Sequence, residues 1–153
     1  MPRPPHASGL TDHLGFWMRM VSNQVSQAFA AKIEARGVTV AEWVLMRALY
    51  AQPPQSPSRL AETMGMTKGA VTKLADRLIA KSLLLRRPDP DDARAQTLAL
   101  TAAGERLVPT LAAIADENDR AFFRALTSAE RKALEKTLRR LASHHGKTSF
   151  PTS

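Results

Sequence analysis

Not one cysteine occurs among the 153 residues, which excludes disulfides, thiolate catalysis, cysteine redox sensing and cysteine-ligated zinc. No apolar run approaches the roughly 18 residues of a membrane span, and the opening MPRPPHASG lacks the apolar stretch of a secretory signal. No membrane partner is expected, and the cytoplasm is the default compartment. A metal switch has little to work with: His6, His144 and His145 lie in or near the ends, and His13 has only Asp12 beside it. No phosphate-cradling glycine loop, nucleophile elbow, paired catalytic carboxylates or HExxH stretch is present. The sequence therefore calls for neither an enzyme nor a cofactor.

What is present is enough apolar material, 44% of the chain, to bury the core of one compact domain with room for a second small lobe. Lysine and arginine number 22 against 14 acidic residues, a formal charge of +8. That balance favours a polyanionic partner such as nucleic acid over a neutral substrate.

Periodicity is mostly helical. Leu14, Met18, Val21, Val25 and Ala28 recur at steps of four and three, predicting a long amphipathic helix over Leu10 to Ala35 that Gly37 ends. Thr39 to Glu42 has T-x-x-E spacing, in which hydroxyl and carboxylate satisfy orphan amides at a helix start, so a helix from Val40 to about Tyr50 follows. AQPPQSP is a breaker, after which Ser56 and Pro57 cap a short helix ending at Gly65. Thr67 caps another that runs to about Lys81. From Leu83 the pattern becomes two short strands around a long turn, and helix returns after Thr101 with a kink expected at Pro109. A second T-x-x-E, Thr127 to Glu130, opens a last helix bearing Leu134, Leu138 and Leu141. The fold class is mainly α with a small β-hairpin wing. Residues 1–9 and 146–153 read as mobile arms, 10–38 and 102–145 as a helical lobe, and 39–101 as a winged helix-turn-helix lobe.

In SRLAETMGMTKGAVTKLADRL, Ala61 is followed by Gly65 and then by Val71. This is helix-turn-helix spacing: a small residue where two helices touch, a glycine for the tight turn, and a branched residue locking the second helix. At about 100° per residue, Val71, Leu74, Ala75 and Leu78 share one side, while Lys68, Gly69, Thr72, Lys73 and Asp76 share the other. With Thr67 at the start and Arg77 at the end, the outward side suits DNA. Cations neutralise phosphates or donate to guanine, Thr72 meets a thymine methyl or donates a hydrogen bond, and Gly69 permits close approach. The same pattern also fits a solvated face on an ordinary core helix.

RRPDPDDARAQ, residues 86–96, reads as the tip of a hairpin directed at the same partner. Arg86, Arg87 and Arg94 are its cations, and Arg94 is the candidate for insertion into a minor groove. Asp92 cannot favour DNA by its own charge, so its expected role is to brace Arg94, Arg86 or Arg77. Pro88 and Pro90 stiffen the tip.

Taken in order, TVAEWVLMRAL, SRLAETMGMTKGAVTKLADRL, LLRRPDPDDARAQTLALT and AAGERL resemble the MarR family of bacterial winged-helix regulators over about Leu10 to His145. The most specific matches are DRL at Asp76 to Leu78, D-x-R at Asp92 to Arg94 and L-T-x-x-G at Leu100 to Gly104. The resemblance implies a repressor binding double-stranded DNA at a pseudo-palindromic operator, as a homodimer in which the first helix and the last two interleave. Apolar residues on the terminal helices, among them Leu14, Val21, Leu111, Ile114, Phe122, Phe123, Leu134 and Leu138, agree with a partner chain. The resemblance also implies release by a small aromatic or anionic effector, for which His13, Trp17, Met46 and Arg47 are the candidate pocket. Alternatives left open are Trp17 as core, His13 as a satisfied polar residue at a dimer seam, Arg47 paired with a carboxylate, an effector-independent DNA-binding protein, and a protein-interaction module. The recognition face has no aromatic or apolar anchor of the kind protein hot spots favour.

Overall fold

A computed structural model describes residues 1–2 and 5–145; the expected C-terminal arm, 146–153, lies outside the described residues. Helix α1 spans Leu14–Glu34. It starts later than the periodicity predicts because Leu10–Asp12 forms a separate 3-10 turn, in which the Asp12 carboxylate accepts the Gly9 amide at 2.7 Å, and because His13 is extended (φ −102°). An extended residue at that point cannot carry α-helical hydrogen bonding further back.

Helix α2, Val40–Leu49, opens on the reciprocal box expected of T-x-x-E. Glu42 N donates to Thr39 Oγ1 at 3.2 Å, and Thr39 N donates to Glu42 Oε1 at 2.9 Å. Helix α3, Pro57–Met64, is capped by Ser56 with proline in its first turn, and Gly65 closes it at φ +64°, where a side chain would be strained. Helix α4, Lys68–Ala80, is capped by Thr67, whose Oγ1 accepts the Ala70 amide at 3.1 Å.

Strands β1, Leu84–Pro88, and β2, Gln96–Leu100, pair antiparallel with Leu84 opposite Leu100 and Pro88 opposite Gln96. Gln55, inside the stretch read as a breaker, adds a rung by exchanging both backbone bonds with Leu98, at 3.0 and 2.8 Å. Helix α5, Ala102–Phe122, runs unbroken through Pro109, and α6, Ser128–His145, begins at a second reciprocal box between Thr127 and Glu130. Gly104 in L-T-x-x-G has a steric reason: a Cβ there would stand 2.2 Å from the Leu83 carbonyl oxygen.

One apolar core joins the winged region to the C-terminal half of α1 and the first half of α5. Ile33, Leu45, Leu60, Leu78, Leu98 and Leu111 are all sealed within it. Leu111 was expected among the partner-facing apolar residues and is instead wholly buried within the chain. Helix α6 has no buried residue at all.

Candidate nucleic-acid interface

Helix α4 divides its residues as the wheel predicts. Val71, Leu74, Ala75 and Leu78 are buried, whereas Thr67, Lys68, Gly69, Lys73 and Arg77 are exposed. A Cβ on Gly69 would meet nothing within 4 Å, so the surface in front of the helix start is open. Thr72 is half-buried, and its hydroxyl donates to the Lys68 carbonyl at 3.0 Å. The proton that sequence reasoning offered to a base is thus engaged, leaving the methyl and the oxygen lone pairs for a ligand.

The outward face also carries Asp76, which pairs with Arg86 of β1. This ion pair bridges the recognition helix to the wing. It takes Arg86 from the free cations of the wing and cancels the one unfavourable charge on the α4 face. Lys68, Lys73, Arg77, Arg87 and Arg94 belong to none of the ion pairs among the described residues.

At the wing tip the aspartates fold the backbone. Asp89 Oδ1 accepts the Asp91 amide at 2.9 Å and Asp92 Oδ1 accepts the Arg94 amide at 3.0 Å. The tip is closed by Asp89 N to Ala95 O and Ala95 N to Asp92 O, both 3.0 Å. Of the three arginines Asp92 was expected to brace, it holds Arg94, and it does so at the main chain, because a short carboxylate readily reaches the amide two residues on. Arg94 is exposed on this ordered turn.

The four effector candidates do not form one open wall. Met46 is completely buried among core residues and offers no surface to a ligand, since it lies on the inner side of α2 with Leu45 and Leu49. His13 and Arg47 are exposed. Arg47 stacks on the Tyr50 ring at 5.7 Å rather than pairing with a carboxylate. Trp17 is 47% exposed, with its indole N–H donated to the Thr11 carbonyl at 2.9 Å, so it is not a core residue of the single chain. Concave surfaces lie at Lys32, Ala113, Ile114 and Glu117, and along Phe123, Leu134 and Leu138 between α5 and α6.

Sequence reasoning missed one cluster entirely. Lys81, directly after α4, donates to the Gly37 carbonyl at 2.7 Å and to both Glu42 oxygens at 2.9 and 2.8 Å. Burial pushes the Glu42 carboxyl up, but the Lys81 ammonium and the bonds from Thr39 outweigh it and hold the group below its ordinary value. T-x-x-E spacing found Glu42 as a cap; no local signal points to a partner 39 residues away.

These elements, a helix-turn-helix followed by a two-stranded wing on a helical lobe, define a winged helix-turn-helix protein. A sequence model of the MarR family matches residues 38–95, the winged lobe almost whole. The Escherichia coli O111:H- transcriptional regulator HosA is 27% identical over 108 residues, covering 71% of this chain and 80% of HosA. Among solved structures, Bordetella bronchiseptica BpsR, from work on regulation of its DNA binding by 6-hydroxynicotinic acid, is 26% identical with a TM-score of 0.82, over 90% of this chain and 98% of that one. A DNA complex of S. aureus MepR, 24% identical, shares the fold with a TM-score of 0.79 over 86% of this chain and 98% of that one. The chain is thus similar to the MarR family of transcriptional regulators in the sequence of its winged lobe and in its overall fold. Among the described residues, no helix is long and apolar enough to cross a membrane, and no group of three or more potential ligands is placed to hold a metal ion.

Proposed function

We propose that the protein is a sequence-specific DNA-binding repressor acting as a homodimer. The observation that carries the reading is the outward face of α4. Thr67, Lys68, Gly69, Lys73 and Arg77 are all exposed on a helix whose other side is sealed into the core, next to a wing presenting Arg87 and Arg94. In this reading α4 enters the major groove, Thr72 and Lys73 read base edges, and Arg94 enters the adjoining minor groove. MepR, a fold relative, has been solved on DNA, which supports this docking.

The dimer reading rests on apolar side chains exposed among the described residues: Leu14, Trp17, Met18 and Val21 on α1, and Leu134, Leu138 and Leu141 on α6. Two copies would present two α4 helices to successive major grooves, roughly 34 Å apart. The effector reading is narrower than the sequence suggested. His13, Trp17 and Arg47 remain its exposed set without Met46, and an aromatic acid remains its ligand class, supported by the similarity to BpsR.

The test is binding to the DNA flanking the protein's own coding region against a scrambled duplex, at two salt concentrations, with a panel of aromatic acids. Preference for the native flank, released by one compound, is the expected result. Equal weak binding to both duplexes would count against operator recognition at that flank, and binding that no compound disturbs would remove the effector.

A further inference from the structure

The C-terminal turn of α4 is gripped from two sides. On one side the Lys81 ammonium spends its donors on the Gly37 carbonyl and the two Glu42 oxygens, at 2.7 to 2.9 Å. Gly37 lies in the corner where α1 gives way to α2, and Glu42 is completely buried while also capping Thr39. On the other side, Thr101 Oγ1 donates to the Ser82 carbonyl at 2.7 Å, Thr101 N donates to the Leu83 carbonyl at 3.1 Å, and Gly104 leaves room for that same carbonyl. Residues 81 to 83 are therefore clasped between the end of α1 and the start of α5. Those two helices are joined further along by Asn118 Nδ2 donating to the Val25 carbonyl at 3.2 Å.

Stability alone is a poor reason for the Lys81 and Glu42 pair. Desolvating a carboxylate offsets much of the attraction it gains, and apolar replacements of whole buried pairs are often neutral. What such a pair does supply is direction, because three short bonds to fixed acceptors leave the ammonium one place to sit.

We propose that Lys81 is a positioning residue: by tying the end of α4 to Gly37 and Glu42 it sets the angle of the recognition helix against the α1 and α5 lobe. The consequence for DNA rests on the operator-binding reading above, in which that angle decides whether the Lys68 to Arg77 face meets the groove. The clasp itself does not depend on it.

Two variants test the idea: Lys81→Met, and Lys81→Met with Glu42→Gln, which leaves no charge unpaired in the event that the single change fails to fold. On operator DNA the expected result is an affinity loss on the order of tenfold per folded protein with the slope of log K against log salt unchanged. A slope lower by about 1 would instead mean a lost phosphate contact and would overturn the proposal. A second readout needs no DNA. Because the chain lacks cysteine, Ser26→Cys on α1 and Lys73→Cys on α4 give two unique sites for spin labels, diluted with unlabelled protein. The distance distribution between them is expected to broaden or shift in both Lys81 variants, and an unchanged distribution overturns the proposal. Absence of operator binding by the parent protein, with a distribution that still responds to Lys81, would sink the DNA reading and leave the clasp standing.

Discussion

Leucines at helical spacing meet two different fates in this molecule. In the winged region Leu45, Leu60 and Leu78 have no exposed surface, whereas Leu14 at the start of α1 keeps 81% and Leu134, Leu138 and Leu141 on α6 keep 38%, 41% and 42%. The winged region closes its core with its own residues. The outer half of α1 and all of α6 carry an apolar stripe as regular as the others, which the described residues of this chain leave largely open. An amphipathic period announces that a face will be covered; it does not say which chain covers it.

The sharpest way to break this contrast is to cut the two regions in turn. Leu78→Ala leaves a cavity in a sealed core and is expected to lower stability by about 2 to 5 kcal/mol, read from the urea midpoint at constant slope. Leu134→Asp with Leu138→Asp touches no buried residue of the single chain. It is expected to weaken self-association by roughly a hundredfold or more, since each leucine buried in an interface contributes about 1.5 to 3 kcal/mol. Sedimentation at fixed protein concentration decides this, and an unchanged mass would return the α6 stripe to mere solvent exposure.

Within the winged region the comparison sharpens between helix and wing. Thr72→Ala or Lys73→Ala is expected to change preference among operator bases by about 1 to 3 kcal/mol per contact, measured on a panel of single-base operator variants. Equal losses on every sequence would demote both to backbone contacts. Arg94→Ala is expected to act more evenly, weakening all sequences and lowering the salt slope by about 1. The smallest effect concerns acid. The folded Glu42 carboxyl titrates below its ordinary value, so its contribution is fully present above the unfolded value of about 4.3 and is lost as pH falls through the lower folded one. Glu42→Gln is expected to flatten the decline of the urea midpoint in that window, and a parallel decline in both proteins would deny Glu42 the role.

Most of the helix boundaries were legible because their signals are local. Thr39 with Glu42, Ser56 with Pro57, Gly65, and Thr127 with Glu130 each act within one turn of chain, and each sits where the spacing placed it. The exposed face of α4 followed from 3.6-residue periodicity for the same reason. Gln55 was missed because its pairing with Leu98 is a contact between distant stretches, and the two prolines before it dominate the local pattern. Met46 was grouped with Arg47 as its neighbour on one helix, but adjacency in sequence does not show which side of α2 meets the core. Charge left Asp92 three arginines to brace, and only the turn geometry selected Arg94, through the backbone amide two residues on.

Residue order and local stereochemistry were thus enough for the element order, the exposed face of α4, the β-hairpin and the exclusion of cysteine chemistry, because capping and periodicity act within a few residues and composition is read directly. The pairing of Asp76 with Arg86, the clasp of Lys81 on Gly37 and Glu42, the close approach at Gly104 and the burial of Leu111 were settled only in three dimensions. Each joins or packs groups from elements far apart in the chain, and no local rule sums the desolvation, reach and steric exclusion that select one such partner over another.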